Sequence, residues 1–153
     1  MDTEQYKNQE WQLLKGYIWQ TKDDEAANRY LKTILSDKEP FYLKLAELVK
    51  QFSPTTVLDL GCAMGQQFEI FQKYALNVKY TGVDIYTTYI DRCKARQATA
   101  DFRLVDNYLT LPFKDNEFDV VTLRSLLDHY FPENGLKILN EALRVAKLGI
   151  SVK

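Results

Sequence analysis

Val57-Leu58-Asp59-Leu60-Gly61-Cys62-Ala63-Met64-Gly65 is the stretch on which the reading of the fold turns. Val57 to Leu60 has strand character, residues 61, 63 and 65 are small, and an amphipathic run starts at Gln66. Small residues let a backbone turn tightly and come close to a ligand. A strand, a tight turn and a helix in direct succession open a β–α unit.

The alternation continues downstream. Residues 66–75 read as a helix with Phe68, Phe71 and Ala75 inward, Val78 to Ile85 as a strand, and 87–98 as a helix with Ile90 and Cys93 inward. Phe102 to Val105 and Phe118 to Leu123 read as strands, 134–147 as a helix, and Ile150-Ser151-Val152 as a very short last strand. Such alternation predicts a doubly wound α/β domain, a mostly parallel Rossmann-like sheet of about five strands in the order 3-2-1-4-5. Upstream of Pro54, residues 4–52 read as helix almost throughout. Trp11, Leu14 and Ile18, then Ala27, Tyr30, Leu31, Ile34 and Leu35, recur at helical steps. Ser36-Asp37-Lys38-Glu39 has the form of a capping box, and Tyr42, Leu45, Leu48, Val49 and Phe52 form the apolar face of the helix after it. The expected organisation is an N-terminal helical segment, 1–53, on an α/β core, 54–153.

Composition removes several classes of function. The chain has 153 residues, 46% of them hydrophobic and 27% charged, with 20 basic against 21 acidic side chains. That length suits one domain with an adequate core. The near-balance of charge leaves no global field to hold a polyanion, so bulk nucleic-acid binding is not expected. Two cysteines, 62 and 93, make neither a disulfide framework nor a four-ligand zinc site, and reduced thiols suit a cytoplasmic protein. No basic-then-apolar leader opens the chain. No run reaches the ~18 apolar residues of a membrane span.

In doubly wound sheets, ligands bind beyond the carboxyl ends of the strands, where strand order reverses. A phosphate-binding loop would need Gly-Lys-Ser/Thr, but Gly65 is followed by Gln66-Gln67. A dinucleotide fingerprint fits poorly, with Ala63 and Gln66 where glycines belong, so an oxidoreductase ranks low. Asp59 would repel a pyrophosphate and attract a cation. Asp84 ends the second strand, where a carboxylate suits hydrogen bonds from ribose hydroxyls. Asp106, followed by Asn107, ends the third. Three strand-terminal acids around one small-residue turn point to a ligand with a ribose, a cationic group and no phosphate.

The 57–65 stretch resembles motif I of the class I S-adenosylmethionine-dependent methyltransferases, and Gly82-Val83-Asp84 resembles their second-strand acid. Asp106, Leu111-Pro112-Phe113, Phe118-Asp119-Val120-Val121, Leu126-Leu127-Asp128-His129 and Glu141 to Lys147 are similar to the later pattern of the small-molecule "type 11" branch. The resemblance covers about residues 54–150 and implies S-adenosyl-L-methionine as cofactor. It implies the methionine moiety against Gly61, Cys62, Ala63 and Gly65 with Asp59 nearby, and the ribose on Asp84. It further implies adenine beside Ile85, Asp106 and Asn107, and the methyl-transfer end beside Arg124. Ala63 departs from the usual middle glycine, and Lys147-Leu148-Gly149-Ile150 from the usual Lys-Pro-Gly-Gly turn.

No catalytic residue is assigned. Methyl transfer from a sulfonium is largely a matter of approach and alignment, so a base can be dispensable. His129, the only histidine, is the candidate if one is needed, although packing accounts for it more simply. Cys62 reads as a small filler rather than a nucleophile. Leu123-Arg124-Ser125-Leu126 stands where enzymes acting on adenine or amide nitrogens carry Asn/Asp-Pro-Pro-Tyr/Phe, which leaves a small-molecule methyl acceptor. Relatives of this type usually continue through two more strands. The fifth strand would then be an uncovered edge, from which either a homodimer or a truncated, non-catalytic methyltransferase-like domain is expected.

Overall fold

The computed structural model describes residues 39–74 and 77–152. In chain order the elements are α1 (Glu39–Phe52), β1 (Thr56–Leu60), α2 (Gln66–Lys73), β2 (Lys79–Asp84), α3 (Thr87–Arg96), β3 (Asp101–Leu104), β4 (Phe118–Leu123), a 3-10 turn (Leu127–His129), α4 (Pro132–Val145) and β5 (Ala146–Val152). The five strands form one parallel sheet in the order β3-β2-β1-β4-β5, the order expected from the alternation. Strand order reverses between β1 and β4, so a crevice belongs at their carboxyl ends.

Strand alternation divides the core between the two faces of the sheet. Val57, Tyr80, Phe102 and Val120 pack with Leu45 and Val49 of α1, Phe68 and Phe71 of α2, and Ile90 and Cys93 of α3. On the other face Leu58, Leu60, Val83 and Val121 pack with Ile138, Ala142 and Val145 of α4 and with Val105, Tyr108, Leu111 and Phe113. The segment joining β3 to β4 has no helix of its own. It is gathered by Arg144, whose guanidinium donates to the carbonyls of Leu111 and Phe113 and to the carboxylates of Asp115 and Glu141. Pro132 opens α4, where its missing N–H costs nothing, and Glu133 faces the positive end of the helix dipole.

Three local expectations change. Leu48 and Phe52 of α1 are exposed, and its buried seam is Leu45, Ala46 and Val49. The 134–147 helix begins and ends two residues earlier. The last strand has seven residues rather than three, because pairing of Phe118 with Ala146 draws Ala146-Lys147-Leu148 out of a helical pattern. The helical reading of 4–38, Ser36 of the capping box and Ala75 lie outside the described residues. Among the described residues no helix is long and apolar enough to cross a membrane.

Candidate cofactor site

Beyond Leu60 the chain enters a turn in which Gly61, Ala63 and Gly65 all have positive φ, at 72°, 47° and 77°. For Ala63 this conformation costs about 1 kcal/mol. The turn is anchored on the neighbouring strand. The amides of Gly61 and Cys62 both donate to the Val83 carbonyl, at 2.9 and 3.0 Å, and the Gly65 amide donates to Cys62 O at 2.9 Å. From α3, the Cys93 thiol donates to Ala63 O at 3.3 Å, and Gln97 Nε2 donates to Gly65 O at 3.4 Å. A Cβ at Gly82 would stand 2.8 Å from the Phe102 ring and 3.0 Å from Cys62, so glycine there lets the turn settle onto β2.

Asp84 closes β2 directly beside this turn. Its Oδ2 accepts the Ala63 amide at 3.0 Å and its Oδ1 the Tyr86 amide at 3.1 Å. Burial pushes its carboxyl up to about 6, although the amides of Ala63, Tyr86 and Ile85 pull the other way and nearby Asp59 adds to the rise. Ile85 follows, half-buried. Across the β2–β3 pair, Asp106 is exposed beyond the end of β3. Asn107 Oδ1 accepts the amides of Leu109 (2.8 Å) and Thr110 (3.0 Å), an Asx turn that commits its oxygen to the backbone. Tyr108 is fully buried and meets Tyr130 edge-to-face at 6.2 Å.

Asp59 is placed differently. It lies on the face of β1 that turns toward α2, with Tyr80 O–H donating to its Oδ2. The Thr122 hydroxyl stands 3.2 Å from Oδ1, and Gln67 Nε2 donates to that hydroxyl at 2.6 Å. Burial pushes the Asp59 carboxyl up to about 6, against the opposing pull of Tyr80, the Arg124 charge and Thr122. Arg124 is half-buried just past β4, and the next residue, Ser125, has a φ of 48°. Leu126 then lies over Gly61, where a Cβ would meet its Cδ1 at 3.0 Å. His129 closes the 3-10 turn, half-buried, its amide donating to Leu126 O. Burial pushes the Cys62 thiol well above its ordinary range, which suits a filler and not a nucleophile.

The strand ends therefore bring together the 61–65 turn, Asp84, Ile85, Asp106, Asn107 and Arg124 along one rim. They set Asp59 behind that rim, within a polar cluster of Tyr80, Thr122 and Gln67. Sequence reasoning had not picked out that cluster. One trace of it was visible, a lone hydroxyl in the otherwise apolar run Val120-Val121-Thr122-Leu123.

A family model described as a methyltransferase domain matches residues 58–150, well over half the chain. Three curated relatives are similar over part of their length. An uncharacterised protein of Methanocaldococcus jannaschii is 32% identical over 77% of this chain and 49% of its own. A demethylmenaquinone methyltransferase of Thermotoga maritima is 26% identical over 68% of this chain and 44% of its own. A 2-methyl-6-phytyl-1,4-hydroquinone methyltransferase of Synechocystis is 37% identical over 62% of this chain and 30% of its own. Among solved structures, human N-acetylserotonin methyltransferase in complex with SAM superposes with a TM-score of 0.66, at 16% identity, over 85% of this chain and 38% of its own. The chain spans about half the length, or less, of the curated relatives it matches.

Proposed function

The chain belongs to the class I S-adenosylmethionine-dependent methyltransferases, whose cofactor is S-adenosyl-L-methionine, and from that premise we propose that it methylates a small-molecule acceptor by direct transfer. One observation carries the fit of the cofactor. A buried carboxylate, Asp84, stands at the carboxyl end of β2, hydrogen-bonded to an amide of a turn with three positive-φ residues. An ionised carboxylate is acceptor-only, and a vicinal diol supplies two donors to match it. Asp84 would thus take the ribose, with Ala63 and Tyr86 amides keeping its oxygens in place. The backbone of Gly61, Cys62, Ala63 and Gly65 would face the methionine moiety. Ile85 would offer an apolar surface to adenine, with Asp106 and Asn107 beside it. Arg124 and Leu126 would border the transfer end, with Leu126 lying against Gly61.

The bound cofactor supplies an electrophilic methyl group on a sulfonium. What remains for the chain is to hold the acceptor in line and dry, and orientation alone is worth several kcal/mol in such reactions. No base is assigned, and His129 is the candidate. Two relatives named for quinone-type acceptors support a small aromatic hydroxyl compound as the acceptor class. The reading places the protein in the cytoplasm, where free thiols such as Cys62 and Cys93 stay reduced. It also pairs two copies along β5, whose outer edge has no partner strand among the described residues.

Calorimetric titration with S-adenosyl-L-methionine and S-adenosylhomocysteine tests the cofactor site. Wild type should bind both, and Asp84→Ala should weaken binding at least thirtyfold, as expected for two charge-assisted hydrogen bonds. A folded wild type that binds neither would sink the proposal. Production of S-adenosylhomocysteine across a panel of hydroquinones and phenols then tests turnover. Binding without turnover would favour the second reading, a non-catalytic cofactor-binding domain.

A further inference from the structure

The two buried acids at the ends of β1 and β2 are held in different ways. Asp84 accepts its hydrogen bonds from backbone amides at the rim, one of them in the turn itself. Asp59 accepts from side chains within the α1–α3 side of the core, Tyr80 O–H on Oδ2 and the Thr122 hydroxyl on Oδ1. Thr122 is its direct partner across the β1–β4 ladder, and Gln67 in the first turn of α2 donates to that same hydroxyl. The polar chain Tyr80–Asp59–Thr122–Gln67 therefore ties together β2, β1, β4 and the start of α2. These are the elements that flank and receive the 61–65 turn. Tyr80, Asp59, Thr122 and Gln67 are all buried.

We propose that Asp59 is a positioning residue. Clamped by Tyr80 and Thr122, it fixes the exit of β1 and, through Gln67, the entry of α2, so that the turn between them keeps its ligand-accepting shape. It does this without touching the cofactor. The inference rests on the cofactor reading above and departs from the placement of Asp59 beside the methionine moiety. An isosteric amide can keep both contacts with one reversed, its oxygen accepting from Tyr80 and its Nδ2 donating to the Thr122 hydroxyl, whose proton then turns to Leu58 O at 3.3 Å. A direct ligand of a cationic group needs the charge.

Four variants separate the roles, each followed by cofactor titration and by hydrogen exchange of the Gly61, Cys62 and Gly65 amides in the free protein. Asp59→Asn should cost about threefold in cofactor affinity and leave those amides protected. Asp59→Ala and Tyr80→Phe should each cost about fivefold or more, the worth of one neutral hydrogen bond, and should speed exchange at the turn. Asp84→Asn should lose affinity more than thirtyfold while the Gly65 amide stays protected. An Asp59→Asn loss as large as that of Asp84→Asn, with protection intact, would make Asp59 a ligand and overturn the inference. If the wild type binds no cofactor, the function proposal fails and exchange still decides this one. Faster exchange in Asp59→Ala and Tyr80→Phe with rescue in Asp59→Asn supports it, and unchanged exchange overturns it.

Discussion

Asp84 carries a carboxyl displaced upward to about 6 by burial, and under the proposed ribose contact cofactor binding should depend on pH in a defined direction. Hydroxyl donors favour its ionised form, so binding pulls the pKa down and competes with protonation of the free protein. Affinity should therefore be flat above about pH 7 and fall below pH 6, approaching tenfold per unit. Titrations at pH 5, 6, 7 and 8 check this, and Asp84→Asn should be weak and flat throughout. Asp84 and the small-residue turn were legible in the sequence because each is local: a strand, its terminal acid and the glycines lie within a few positions of one another. Tyr80 and Thr122 were not. Their partnership with Asp59 exists only once the register is fixed, and a one-residue slip would send them to the other face of the sheet. Asn107 was legible in identity but ambiguous in role, and its side-chain oxygen closes a turn.

At the scale of elements, β2 shows how close neighbours dictate a residue in a strand. It pairs on both sides, with β1 and β3, and its glycine accommodates both the Phe102 ring and Cys62. Gly82→Ala adds a methyl inside van der Waals contact with both, and overpacking of this kind costs about 1–3 kcal/mol. Urea denaturation should show a midpoint lowered accordingly with little change in slope. The order of elements followed from hydrophobic alternation, yet the α4–β5 junction did not. Glu141 to Lys147 is a good helical pattern, and only ladder pairing with β4 makes a strand of its last two residues. Leu48 and Phe52 likewise fit a helical stripe whose buried part is narrower than the pattern implied.

For the whole molecule, β5 is one of the two edge strands of the sheet, β3 being the other. Leu148 and Val152 are 48% and 46% exposed there, on a strand with no outer partner among the described residues. Light scattering should find a dimer at tens of micromolar protein. Leu148→Lys, which places a charge on that edge, should shift it toward monomer. A monomer at all concentrations would remove the pairing from the proposal. The opposite end of the sheet is governed from a distance. Arg144 belongs to α4, yet it grips the β3–β4 segment at two carbonyls and a carboxylate. That segment starts at Asp106 and Asn107, proposed to lie beside adenine, so α4, which packs on the same face of the sheet, holds the segment that would border the ligand. Under that proposal the contour of the cleft would depend on Arg144, a residue of α4 and not of the rim.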